Sequence, residues 1–86
     1  MKTDSWDRIY KDIKDELNKQ ITKWGIQHHA PEMWMNILME EVGESSKAWM
    51  EHYFRNKDKR KYREELIQVA AVAIAAIEHF DRGCKK

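Results

Sequence analysis

Glu41 with Glu44, and Glu65 with Gln68, are the residues of this chain whose types and spacing could do chemistry. Each pair has the i, i+3 separation that sets two side chains on one face of a helix. Both pairs lie in stretches otherwise given to apolar packing, Ile37-Leu38-Met39-Glu40-Glu41-Val42-Gly43-Glu44 and Glu64-Glu65-Leu66-Ile67-Gln68-Val69-Ala70-Ala71. Carboxylates turned toward a helical core are costly unless something positive stands between them. A hard divalent cation such as Mg²⁺ meets that need, because it takes oxygen ligands and several at once. The spacing predicts a metal site between two helices.

Three helices must position these groups. In the first, Trp6, Tyr10, Ile13, Leu17, Ile21 and Trp24, with Ile9 alongside, keep the 3–4 rhythm of an amphipathic helix, and Asp4 or Ser5 could cap its start. Gly25 ends it, and Gly25-Ile26-Gln27-His28-His29-Ala30 forms a joint. Pro31 suits the first turn of a second helix, where its missing N–H costs nothing. That helix should run from about Pro31 to Phe54, with Gly43 in its middle as either a point of close helix approach or a tolerated defect. Arg55-Asn56-Lys57-Asp58-Lys59-Arg60-Lys61 is too charged for a core and reads as a loop. A third helix follows from Asp58 or Lys59 to Phe80 or Asp81. The connection is short, so helices two and three should form an antiparallel hairpin. Positions equally far from the turn then meet, which lets Glu41, Glu44, Glu65 and Gln68 converge. Glu40 and Glu64 lie about 100° round their helices, at the edge of that cluster.

The centre of helix three, Val69 to Ile77, is nine apolar residues in a row. A helix apolar on every side is not the surface helix of a monomer. The expected architecture is all-α, an antiparallel bundle of three main helices completed by oligomerisation, as a dimer or tetramer in which helix three packs on its copy. At 86 residues, with 42% hydrophobic and 36% charged, the chain is one small helical domain, and three Gly and one Pro supply little turn chemistry for a sheet. A net charge of +1 points to neither nucleic acid nor a membrane surface, and Lys57-Asp58-Lys59-Arg60-Lys61 is short and broken by an acid. The single Cys84 suits a reducing cytoplasm, and no apolar run approaches the roughly 20 residues that span a bilayer. Met1-Lys2-Thr3-Asp4-Ser5 has no signal-peptide core, and Gly83-Cys84-Lys85-Lys86 reads as a frayed tail.

The run Glu40-Glu41-Val42-Gly43-Glu44, followed by Glu64-Glu65-Leu66-Ile67-Gln68, resembles the MazG-like nucleoside triphosphate pyrophosphatases of the all-α NTP pyrophosphatase superfamily, whose signature is EExxE, a spacer, then ExxD. Lys23-Trp24-Gly25-Ile26-Gln27-His28-His29-Ala30-Pro31-Glu32-Met33-Trp34 is similar to the lead-in of small single-domain members, and the likeness covers about Gln20 to Glu78. The resemblance implies a Mg²⁺-dependent enzyme that cleaves NTPs or dNTPs to the monophosphate and pyrophosphate. It also implies metal ligation by Glu41, Glu44, Glu65 and Gln68. Gln68 departs from the signature, which has Asp; an amide oxygen still ligates but removes one negative charge.

Within that reading, Mg²⁺ would bind phosphate oxygens and lower the pKa of a bound water. Glu40 at the rim is a candidate to orient or deprotonate that water. Lys47, one further i, i+3 step beyond Glu44, and Lys61 and Arg63, ahead of the second motif, are candidate phosphate contacts. Trp24, Gln27, His28 and Trp34 gather at the first joint as candidates for the base or sugar. Trp6 and Trp49 are assigned to packing. The alternative is a non-catalytic helical dimerisation or regulatory module that keeps the fold. A carboxylate-bridged di-iron bundle is disfavoured, since none of His28, His29, His52 or His79 follows a Glu by three residues.

Overall fold

The computed structural model describes residues 3–83, and among them every regular element is a helix: α1 Thr3–Trp24, α2 Pro31–Arg55 and α3 Arg60–Asp81. Of the expected tail, Cys84 to Lys86 lie outside the described residues. No helix among those described is long and apolar enough to cross a membrane.

The joints follow from local chemistry. Gly25 takes φ +75°, and its N–H donates to the Ile21 carbonyl at 2.7 Å, closing α1 with a left-handed residue that costs glycine little. Asp4 sits inside the first turn of α1 rather than capping it, where its charge still opposes the helix dipole. Pro31 opens α2 behind an extended Ala30. Asn56, left-handed at φ 55°, ends α2 with its N–H on the His52 carbonyl at 3.0 Å. Asp58 then steers the chain into α3: its Oδ1 accepts the Arg60 N–H at 2.9 Å, and its Oδ2 meets the Arg60 guanidinium at 2.6 Å. These bonds hold the Asp58 carboxyl down to about 2.

Helices α2 and α3 form the expected antiparallel hairpin. Trp49 stands 5.2 Å from Tyr62 near the turn, and Trp34 6.2 Å from His79 at the far end, ring centre to ring centre. Ser45, Ala48 and Ala71 are buried between the helices, and residues this small allow close approach. Around Gly43, by contrast, a side chain would meet nothing within 4 Å, so no helix approaches there within the single chain.

The three helices form an all-α bundle that stays open on one side. α3 packs against both α1 and α2, whereas α1 and α2 nowhere bring Cα atoms within 8 Å of each other. The result is an open layer with α3 in the middle. Its accessible surface is 7050 Å², against about 5,400 Å² for a typical monomer of this mass. Being central, α3 hides much of its apolar run: Ala71 and Val72 are buried, and Ile74 and Ile77 are exposed. The longer uncovered stripe is on α2 instead. Met35, Met39, Val42, Trp49 and Tyr53 are all exposed and, with Ser46, follow a 4-3-4-3-4 spacing, the rhythm of a helix–helix seam.

Candidate functional site

Glu41 lies half-buried on the α3 side of α2, one turn before Ser45, whose hydroxyl donates to the Glu41 carbonyl oxygen at 3.1 Å. Glu65 answers it from α3, with a side chain only 12% exposed. Burial raises the pKa of the Glu41 carboxyl, and the negative charges of Glu65, Glu44, Glu16 and Glu40 push it further the same way. Two of the predicted acids thus act on Glu41 from its own face and from across the hairpin. Glu40 and Glu64 are exposed, at the edge as their helical angles require.

Gln68 faces α1. Its amide oxygen accepts from Gln20 Nε2 at 3.5 Å, and the same Gln20 nitrogen donates to Glu16 Oε2 at 3.1 Å. Glu16 and Gln20 were not predicted from the sequence. A signal existed: Ile13, Glu16, Leu17 and Gln20 share one helical face with the buried Ile13, so two polar groups fall on the inner side of α1. The acids gather within electrostatic reach of one another, but among the described residues no three His, Cys, Asp or Glu side chains converge closely enough to hold a metal ion.

The predicted cations divide. Lys61 pairs with Glu65 at 3.4 Å and reaches Glu64 at 3.9 Å, so it sits beside the acids. Arg63 turns to α1 and pairs with Asp12 at 2.8 Å, helping to fasten α1 to α3. Lys47 lies exposed on the outer part of α2, in a shallow groove with Met50, Glu51, Phe54 and Arg55.

At the first joint, Trp34 is buried at 7% exposure, with His29 at 4.9 Å and His79 at 6.2 Å. His28 packs edge-on against His79 at 5.7 Å. Trp24 is exposed, with the Lys23 ammonium 4.7 Å above its ring. Beside Trp34 opens a cavity of about 120 Å³ whose wall includes Gln20, Gln27, Trp34, Ala75 and His79. Trp24 and His28 stand outside that wall. The indole N–H of Trp34 and Nδ1 of His79 are buried without a hydrogen-bond partner. Buried polar groups seldom stay unpaired, and both residues belong to the cavity wall. Gln20 belongs to both the cavity wall and the acid cluster. Along α3, Gln68 and Ala75 are seven residues apart, about 10 Å at 1.5 Å per residue.

Comparison of the chain with protein-family models, with curated proteins and with solved structures finds no match.

Proposed function

We propose that the chain is a Mg²⁺-dependent nucleoside triphosphate pyrophosphohydrolase of the MazG-like type, converting an NTP or dNTP to its monophosphate and pyrophosphate. The observation that carries this reading is Glu41, a half-buried carboxylate whose neighbours across and along the hairpin are further carboxylates. Such repulsion is relieved either by a proton or by a cation, and at neutral pH a divalent cation relieves more of it. The donors on offer, Glu41, Glu44, Glu65 and the amide oxygen of Gln68, are all oxygens, which fits Mg²⁺ rather than a softer metal. Bound there, Mg²⁺ would neutralise phosphate charge and acidify a water.

The chain's own residues do the rest. Glu44, exposed on α2, would complete the donor set. Glu40 at the rim orients the attacking water and takes its proton. Lys61 exchanges its contact with Glu65 for a phosphate oxygen. Gln27 and Trp34, in the cavity about 10 Å along α3, hold the nucleoside end with Gln20 between the two regions.

A homo-oligomer completes this picture by covering the α2 stripe, and the excess of surface over a typical monomer is about twice the roughly 800 Å² that one partner contributes to a standard interface. That stripe also favours the second reading, a non-catalytic module that associates through α2 and needs neither magnesium nor nucleotide. Incubation with the common NTPs and dNTPs plus Mg²⁺ separates the two. Pyrophosphate release that stops on chelation is expected, and no turnover of any nucleotide would leave the module.

A further inference from the structure

The apolar stripe of α2 has a counterpart on α3. Leu66, Ala70, Ala73, Ile77 and Phe80 follow a 4-3-4-3 spacing, with Leu66, Ile77 and Phe80 exposed and the two alanines only partly covered. Each stripe residue comes one place after a residue on the covered side of its helix. On α2, Val42 follows Glu41, Ser46 follows Ser45 and Trp49 follows Ala48; on α3, Leu66 follows Glu65 and Ala73 follows Val72. One step is about 100° round a helix, and on antiparallel helices a forward step turns both to the same side of the hairpin. Trp49 and Tyr62, 5.2 Å apart, meet at the edge of that side. Helix α1 lies to the other side, where Gln68 accepts from Gln20 and Ala75 shares a cavity wall with Leu17. The two stripes therefore make one continuous face.

The chemistry of that face narrows what can cover it. Its eleven stripe positions carry ten apolar or aromatic side chains, one serine and no charge, so a charged partner gains nothing there, whereas a second copy meets no like charge. The face is lowest near its middle, at Ser46, Ala70 and Ala73, and taller at its ends, at Tyr53 and Phe80. Helices that cross at the middle come closest where side chains are smallest, and the larger ones fill the widening gap to either end. A side chain at Gly43, beside the α2 stripe, would meet nothing within 4 Å, which leaves that approach open. The accessible surface of 7050 Å² exceeds that of a typical monomer by more than the roughly 800 Å² each partner buries in a standard interface. We propose that the α2–α3 hairpin docks face to face on the hairpin of a second copy. The dimer core is then four helices, two from each chain, with each α1 and its cavity on the outer side. This rests on the homo-oligomer named above and on neither magnesium nor nucleotide. It adds α3 to the interface and keeps the α1 side of each chain free of it.

The test is sedimentation velocity of the full chain across micromolar concentrations without metal, with helicity checked by circular dichroism. The wild type should sediment as a dimer. Ile77→Glu, at an exposed position on the α3 half of the face, should raise the dimer dissociation constant by about 100-fold or more, because it buries an unpaired charge. Met39→Glu on the α2 half should do the same. Tyr10→Glu, on the rival exposed apolar surface of α1, should change it by no more than about threefold. If Ile77→Glu loses helicity, Phe80→Glu near the end of α3 takes its place and is read the same way. Association that Met39→Glu abolishes and the α3 variant leaves intact keeps the α2 stripe as the contact and overturns the shared face alone. Association lost only with Tyr10→Glu also overturns it, moving the contact to α1. A wild type that is monomeric at every concentration overturns the homo-oligomer and this inference together. If that monomer pellets with phosphatidylcholine vesicles, the face belongs to a lipid surface; otherwise a chain of different sequence is left to cover it.

Discussion

Both long faces of α2 depart in part from what a lone amphipathic helix would show. The face toward α3 carries the half-buried Glu41 among the buried Trp34, Ser45 and Ala48, whereas Met35, Met39, Val42 and Tyr53 stand in the open, with the exposed Trp49 at the edge beside Tyr62. A helix normally turns its apolar stripe inward and its charges to water. Each departure has a natural complement: a cation on the inner face, where Lys61 already pairs with Glu65, and an apolar partner on the outer one. The two needs are separable, because the side chains that create them point in different directions from one helix.

The largest effect should come from the inner face. Glu44→Gln removes a proposed ligand at an exposed position, so the fold should persist while pyrophosphate release falls by about 100-fold or more. Activity within a few-fold of wild type would detach Glu44 from the metal. On the outer face, Met39→Glu sets a charge in the α2 seam, where an unpaired buried charge costs several kcal/mol, and should shift the sedimentation coefficient to that of the monomer. An unchanged sedimentation profile would move the association surface off α2. A combined variant that loses both properties without added loss of helicity would support their independence.

The fold was largely legible and the site only in part. Gly25, Pro31 and the charged run after Phe54 are residues whose backbone chemistry stops or starts helices, so the element bounds could be read to within a residue or two. The hairpin followed from the shortness of its loop, and with it the meeting of Glu41 and Glu65. Two things were not readable. Whether three helices close a bundle depends on interhelical angles that no local pattern encodes, and here α1 and α2 stay apart, which leaves apolar side chains uncovered on α2 as well as Leu66, Ile74, Ile77 and Phe80 on α3. The hydrogen bonds from Gln20 to Glu16 and Gln68 were missed because only acids within the two motifs were weighed, although the spacing of Glu16 and Gln20 from Ile13 marked them as inward-facing.

A smaller effect tests the joint that sets the hairpin register. Asp58→Ala removes the bonds that fix Arg60 at the start of α3 and should lower the melting temperature slightly, without touching pyrophosphate release. Since the folded Asp58 carboxyl is held down to about 2 from its usual 3.8, its contribution is present above pH 3.8 and is lost as pH falls toward 2. The difference in melting temperature between the variant and wild type should therefore close across that interval. A difference that persists to pH 2 would assign the effect to packing.

The central claim, that crowded carboxylates between α2 and α3 await a dication, is tested most directly by thermal melting with and without Mg²⁺ as a function of pH. The folded pKa of Glu41 lies above its usual 4.5, so its share of stability is complete below 4.5 and is lost as pH rises through the folded value. Mg²⁺ should raise the melting temperature of the wild type clearly at pH 7 and hardly at pH 4. Glu41→Gln should melt higher than wild type at pH 7 without metal and should not respond to Mg²⁺. A Mg²⁺ response equal at both pH values, or one that survives Glu41→Gln, would contradict the account.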